Sequence, residues 1–253
     1  MSFSEDEIER YARHLVLSDV GGPGQQRLKA GRVGLIGLGG VGAPAALYLA
    51  AAGVGTLRLI DDDVVALSNL QRQIVFDSAD IGRAKVIAGS ETLAALNPHV
   101  GLEPRPERLT ADNAAALIED CDVVIDGTDD FATRFCVNAA CVSHGVPLVS
   151  GALGRWNGQV GVFSGQPCYR CMVPDSPPDA ETCSRVGVIG ALAGVVGAMA
   201  ALEAIKLITG AGEPLSGRLL LYDGLAGTAR TVRVAPDPEC PICGAQDAGA
   251  ASA

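Results

Sequence analysis

From Arg32 onward the chain alternates short apolar runs with longer stretches of helical spacing. RVGLIGLGGVG (32–42) is an apolar strand running into a glycine-rich turn, and APAALYLAAAG (43–53) is an alanine-rich helix closed by Gly53. TLRLID (56–61) predicts a second strand, and DVVIDGTD (122–129) and PLVSGAL (147–153) predict later ones, with helical stretches near 83–96, 110–119 and 131–144. Strands alternating with helices require crossover connections, so the pattern predicts an α/β, Rossmann-like, mostly parallel sheet flanked by helices. Residues 4–30 read as a helical lead-in, with Ser4 and Glu7 at capping-box spacing. A second region begins near Gly158, where QVGVFS (159–164) and later RLLLYDG (218–224) read as strands. No internal repeat or linker interrupts the chain, so 1–244 is expected to be one unit. The tail AQDAGAASA (245–253) has nothing to bury and is expected to be disordered.

Composition narrows the class. The chain has 253 residues, 48% of them hydrophobic and only 4% aromatic, with 32 Gly, the make-up of an α/β protein built from small aliphatic residues. Its net charge of −10 argues against nucleic acid as the main partner, because phosphate contacts need a basic face. The acidic start MSFSEDEIERYARH resembles neither a secretory nor a transit peptide, which points to a cytoplasmic protein. VGVIGALAGVVGAMAAL (186–202) is uncharged but short for a membrane span, contains four Gly and lies beside Arg185, Glu203 and Lys206. It is expected to be a buried core helix, with no membrane partner. Eight Cys in a chain without an export signal read as thiols or metal ligands.

Gly37, Gly39 and Gly42 fit G-x-G-x-x-G between a strand and a helix, where unpaired amides and the helix dipole favour phosphate. Asp61 ends the second strand about twenty residues on, the place of a ribose-binding carboxylate. A tight turn without a ligand is the plain alternative, and the motif alone does not separate NAD from ATP. The following segments favour phosphate chemistry. Asn69, Gln71, Arg72 and Gln73 cluster just past the second strand, Lys85 opens the next helix, and Asp126, Asp129 and Asp130 end another strand. Arg72 offers a guanidinium fork for phosphoryl oxygens, and the aspartates offer oxygen ligands for Mg²⁺. An NAD-dependent oxidoreductase would need a proton donor such as His, and His14, His99 and His144 lie in plain contexts.

Cys168-x-x-Cys171 and Cys240-x-x-Cys243 are two knuckles separated by 68 residues. Four thiolates in this arrangement suit tetrahedral Zn²⁺, as a structural staple between distant segments rather than a catalytic centre. Redox pairs or unrelated thiols are the alternatives. Cys121, Cys136 and Cys141 read as core residues, whereas Cys183, in the polar AETCSRVG, is a candidate reactive thiol.

The series GLGGVG, LIDDD, LSNLQRQ, GRAKV, DGTDDFATR, PCYRCM and CPICG resembles the MoeB/ThiF/HesA adenylyltransferases, bacterial relatives of ubiquitin-activating enzymes, from about Glu9 to Gly244. ERYARH, VSGAL, EAIK and LYDG match the molybdopterin-synthase adenylyltransferases within that family. The resemblance implies ATP-dependent activation of a small β-grasp sulfur carrier ending in Gly-Gly, with loss of pyrophosphate and formation of an acyl-adenylate. It assigns Gly40 and its neighbours to phosphate, Asp61 to ribose, and SNLQRQ (Ser68, Asn69, Leu70, Gln71, Arg72) with Lys85 to the nucleotide. Asp129 would position Mg²⁺. Arg13 and Arg72 would reach the site from the other subunit of a homodimer, and the four knuckle cysteines match the zinc ligands. Two departures stand out: Thr128-Asp129-Asp130 replaces the usual T-D-N, and Asp61-Asp62-Asp63 stands at the family's D-x-D. The lack of a rhodanese-like domain after Gly244 implies a separate sulfur donor. The molybdopterin, thiamin, cysteine and tRNA-thiolation pathways remain open, as does a carrier-binding scaffold without catalysis.

Overall fold

In the computed structural model, residues 2–176 and 187–244 are described. One eight-stranded sheet runs in the order β3-β2-β1-β4-β5-β6-β7-β8. Its strands are β1 (Arg32–Ile36), β2 (Thr56–Ile60), β3 (Gly101–Arg105), β4 (Val123–Asp126), β5 (Leu148–Gly154), β6 (Asn157–Phe163), β7 (Arg218–Asp223) and β8 (Thr228–Arg233). The first five pair in parallel, and β6, β7 and β8 continue the same sheet as antiparallel neighbours. The region expected to begin near Gly158 is therefore an extension of the sheet. β3 and β8, the two edges, have no clear apolar pattern and fall outside the strands that the sequence predicts.

The lead-in folds as α1 (Glu5–Arg10), α2 (Ala12–Leu15) and α3 (Gly21–Ala30). Ser4 and Glu7 do form a capping box, with Ser4 Oγ accepting from the Glu7 amide at 3.2 Å and Glu7 Oε2 from the Ser4 amide at 2.8 Å. The crossover helices are α4 (Gly42–Ala52), α5 (Lys85–Leu96), α6 (Ala114–Ile118) and α7 (Phe131–His144); α8 (Tyr169–Met172) and α9 (Gly190–Thr209) follow.

Alternation along each strand divides the core between two helical layers. Leu35, Leu57, Leu59, Val123, Ile125 and Val149 face α4, α5 and α9. Ile36, Ile60, Val124 and Leu148 face α6, α7 and α8. Helix α9 contains most of the uncharged segment at 186–202 and is the one helix among the described residues long and apolar enough to cross a membrane. It packs instead on α4, α3 and β4–β6, burying Leu192, Val196, Ala200 and Ala204. A Cβ at Gly197 would lie 2.6 Å from the Val41 carbonyl and 2.4 Å from Pro44, so α9 approaches the start of α4 only because that position is glycine. That contact fixes one wall of the cleft described next.

Candidate functional site

The strand order reverses between β1 and β4, so their carboxyl ends diverge and leave a crevice. A cavity of about 400 Å³ occupies it, walled by the turns after β1, β2 and β4. Gly39 and Gly40 line it, with the Gln73 side chain 3.8 Å from where a Cβ would stand at Gly39 and those of Ala193 and Arg72 3.5 and 3.6 Å away at Gly40, and the missing side chains leave the backbone bare toward the cleft. Gly42 serves the turn itself, since a Cβ there would sit 1.9 Å from the Gly37 carbonyl and the chain closes only around glycine. Helix α4 then opens without a side-chain cap, leaving its dipole to the cleft.

Asp61 ends β2 with its carboxylate organised by backbone: Oδ2 accepts from the Leu38 amide at 2.7 Å and Oδ1 from the Asp63 amide at 2.9 Å. Burial pushes this carboxyl above its ordinary value, against the opposing pull of Lys85 and the two amides. Lys85, itself buried at the start of α5, donates to Asp63 Oδ2 at 2.8 Å and lies 3.9 Å from Asp61 Oδ2. The ammonium is thus oriented into the cleft by two carboxylates. Asn69 lines the cleft while its Oδ1 accepts from the Ala66 amide at 3.0 Å, shaping the turn of SNLQRQ. Arg72 lies against Gly40 and donates to the Ser68 carbonyl at 2.8 Å, so it lines the cleft of its own chain without a second subunit.

The turn after β4 separates the roles of the two aspartates. Asp130 Oδ1 accepts from the Thr133 amide at 2.8 Å as the N-cap of α7, whereas Asp129 is exposed on the cleft wall. Beneath them lies Arg134, whose sequence position marks only an ordinary helical residue. It donates to the Thr128 carbonyl, to the Gly151 carbonyl at 2.9 Å and to Ser150 Oγ at 3.0 Å. Desolvation works against its charge, but Asp126, 3.8 Å away, keeps its pKa above the ordinary value. Gln73, part of the polar cluster after the second strand, also lines the cleft, and Glu107 and Arg108 are further lining residues that sequence reasoning did not assign. Arg108 Nε donates to Asp62 Oδ2 at 3.1 Å across the mouth. A groove of about 740 Å³ along β5–β8 shares Ala152, Leu153 and Gln159 with the cleft.

Some expected residues are elsewhere. Ser68, Leu70 and Gln71 stand outside the lining: Ser68 offers its carbonyl to Arg72, Leu70 packs on the core and Gln71 packs on Gly190. Arg13 is exposed on α2, next to Tyr11, whose hydroxyl accepts from Asn97 Nδ2 at 2.9 Å. Asn97 caps the C-terminus of α5, whereas Lys85 begins it, so about 18 Å of helix separates that neighbourhood from the cleft of the same chain.

The four knuckle cysteines converge, as their spacing predicts. Their Sγ atoms lie within 4.8 Å of one another, with Cys168–Cys240 at 3.7 Å and Cys171–Cys243 at 3.3 Å. A tetrahedral ion about 2.3 Å from each sulfur needs sulfurs about 3.8 Å apart, so the cluster is compatible with zinc. Burial raises the Cys240 thiol, but the Cys243 and Ile242 amides more than offset this and bring it down to about 7. Cys121 and Cys141 are buried core thiols, Cys136 is partly buried, and Cys183 lies outside the described residues.

A nucleotide-sized crevice and a four-cysteine staple occur together in a chain whose residues 11–242 match the sequence model of the ThiF family. The chain belongs to the ThiF family. This ThiF-family protein is 44% identical to the sulfur carrier protein adenylyltransferase of Thermus thermophilus, across 96% of its own length and 93% of that protein. It is 43% identical to the molybdopterin-synthase adenylyltransferase of Escherichia coli, across 95% and 98%. Among solved structures it superposes on PaaA with a TM-score of 0.80 at 26% identity, covering 92% of this chain and 75% of that one. It also resembles Escherichia coli MccB crystallised with ATP, at a TM-score of 0.77, 23% identity and coverage of 93% and 74%, a likeness of fold alone.

Proposed function

We propose that this ThiF-family protein adenylylates the C-terminal glycine carboxylate of a small sulfur-carrier protein at the expense of ATP, releasing pyrophosphate. The reading is carried by one observation: Lys85 and Arg72 face Gly39, Gly40 and Asp129 across a single crevice. In the proposed reaction a carboxylate oxygen of the carrier attacks the α-phosphorus, the bond to the bridging oxygen of pyrophosphate breaks, and an acyl-adenylate remains. Lys85 and Arg72 stabilise charge building on the phosphoryl oxygens, and Asp61 holds the ribose hydroxyls. Asp129, being free of a capping role, is the ligand for a Mg²⁺ that neutralises phosphate charge; Asp130 orients the helix behind it. The carrier tail enters along the groove that joins the cleft at Leu153 and Gln159.

Around this core we read residues 1–244 as one adenylyltransferase unit in the cytoplasm, with Zn²⁺ held by Cys168, Cys171, Cys240 and Cys243 as a staple. Arg13, distant from its own cleft, fits a homodimer in which it serves the partner's site. The carrier is a Gly-Gly-ending β-grasp protein of a molybdopterin-type pathway, and sulfur comes from a separate donor.

Exchange of labelled pyrophosphate into ATP, assayed with each Gly-Gly-ending β-grasp protein of the source organism, tests the reading. One carrier should support exchange, and Arg72→Ala or Asp129→Ala should each reduce it about 100-fold. Exchange that persists in both variants would overturn the assigned roles.

A further inference from the structure

An unbroken chain of contacts joins the cysteine cluster to the turn that bears Asp129. Asn138, fully buried on α7, donates from Nδ2 to Cys168 Sγ at 3.5 Å. Its Oδ1 accepts from the Tyr169 amide at 2.8 Å. One side-chain amide therefore grips a sulfur of the cluster and the first residue of α8. Tyr169 is 2% exposed, lines the cleft, packs edge-on against Phe163 and places its ring 5.9 Å from the Arg134 guanidinium. Arg134 in turn holds the Thr128 and Gly151 carbonyls, on either side of the phosphate-facing wall.

We propose that Asn138 is a positioning residue through which the cysteine cluster sets the shape of the nucleotide cleft. Phe163 and Phe135 pack against the Tyr169 ring, but α8 itself has four residues and no side-chain cap, so Asn138 and the cysteine cluster are what hold its backbone at the helix start. An N–H donor to a metal-bound thiolate orients the ligand and is itself fixed by it, which makes the amide rigid in both directions. Losing either the metal or the amide leaves the Tyr169 N–H without its acceptor geometry. The ring beneath Arg134 then moves, and the Thr128–Asp129 turn loses its support. The inference rests on the cleft being a nucleotide site.

The test pairs two readouts on the intact chain: ATP·Mg²⁺ affinity by calorimetry, and the thiolate-to-metal absorption of Co²⁺-substituted protein. Asn138→Ala should weaken ATP about 10-fold and also shift the cobalt spectrum. Tyr169→Leu keeps the backbone amide and should weaken ATP with the cobalt spectrum unchanged. Removing the metal from the wild type should weaken ATP as Asn138→Ala does. ATP affinity within twofold of the wild type in Asn138→Ala, or in Tyr169→Leu where the alanine variant does not fold, overturns the inference. Failure of the metal-replete wild type to bind ATP overturns the nucleotide reading instead.

Discussion

The two halves of the sheet are built for opposite purposes. In the parallel half, β1, β2 and β4 are buried along almost their whole length, because crossover helices cover both faces. In the antiparallel half, β7 is mostly half-buried and every residue of β8 is exposed. Both kinds of strand share one hydrogen-bonded ladder, yet the parallel strands and β6 carry the core, whereas β7 and β8 leave open the groove beside the cleft. The rigid half therefore orients Asp61, Lys85 and Asp129, while the open half relies on the cysteine cluster to hold α8 and the C-terminal knuckle together.

Unequal burial predicts unequal costs. Leu57→Ala, at a fully buried β2 position, should lower unfolding free energy by about 3 kcal/mol, whereas Val232→Ala in β8 should cost less than about 0.5 kcal/mol. Urea denaturation of the two variants checks this, and equal losses would erase the distinction between halves. A more local effect is expected from chelation. Chelating the Zn²⁺ proposed for the four cysteines should open backbone amides around 168–172 and 237–244 to hydrogen exchange, while those of β1 and β4 stay protected. Simultaneous loss of protection in β1 would mean that the halves open as one. The smallest effect concerns acid. Arg58 on β2 pairs with Glu103 on β3 and with Asp120, chiefly through hydrogen bonds that hold the Asp120 carboxyl below its usual value. Burial opposes the shift at Glu103, but Arg32 and Arg58 bring that carboxyl down as well. A depressed folded-state pKa adds stability that is complete above about pH 4 and is lost as pH falls below it. Asp120→Asn should therefore flatten the acid limb of a stability profile and cost less than about 1 kcal/mol at pH 7, because Asp120 is half-exposed and the buried Arg58 keeps Glu103 as a partner.

What the sequence discloses follows the same division. The strand, glycine turn and helix at 32–53 are readable because a short apolar run, a glycine turn and an alanine-rich stretch closed by Gly53 follow one another, and α7 at 131–144 because its apolar positions recur at helical spacing. β3 (GLEPR) and β8 (TARTVR) are not, because edge strands bury too little to impose an alternating pattern. In the site, Asp61, Arg72 and Lys85 are legible from their places after strands. Arg134 is not: its spacing on α7 matches any solvated basic residue, and only the carbonyls of Thr128 and Gly151 make it internal. The division of labour between Asp129 and Asp130 likewise depends on which of two adjacent carboxylates turns back to cap a helix.

The two edges also govern how the chain behaves in crowded solution. An unpaired strand is a template onto which another copy can add, the first step toward a fibril. At one border Pro104 has no amide to offer, and a proline is tolerated in a strand where the missing donor faces outward. At the other, Arg230 and Arg233 stand exposed on β8 and make stacking of like strands repulsive. Both edges of the sheet are thereby discouraged from pairing strand to strand with the edge of another copy.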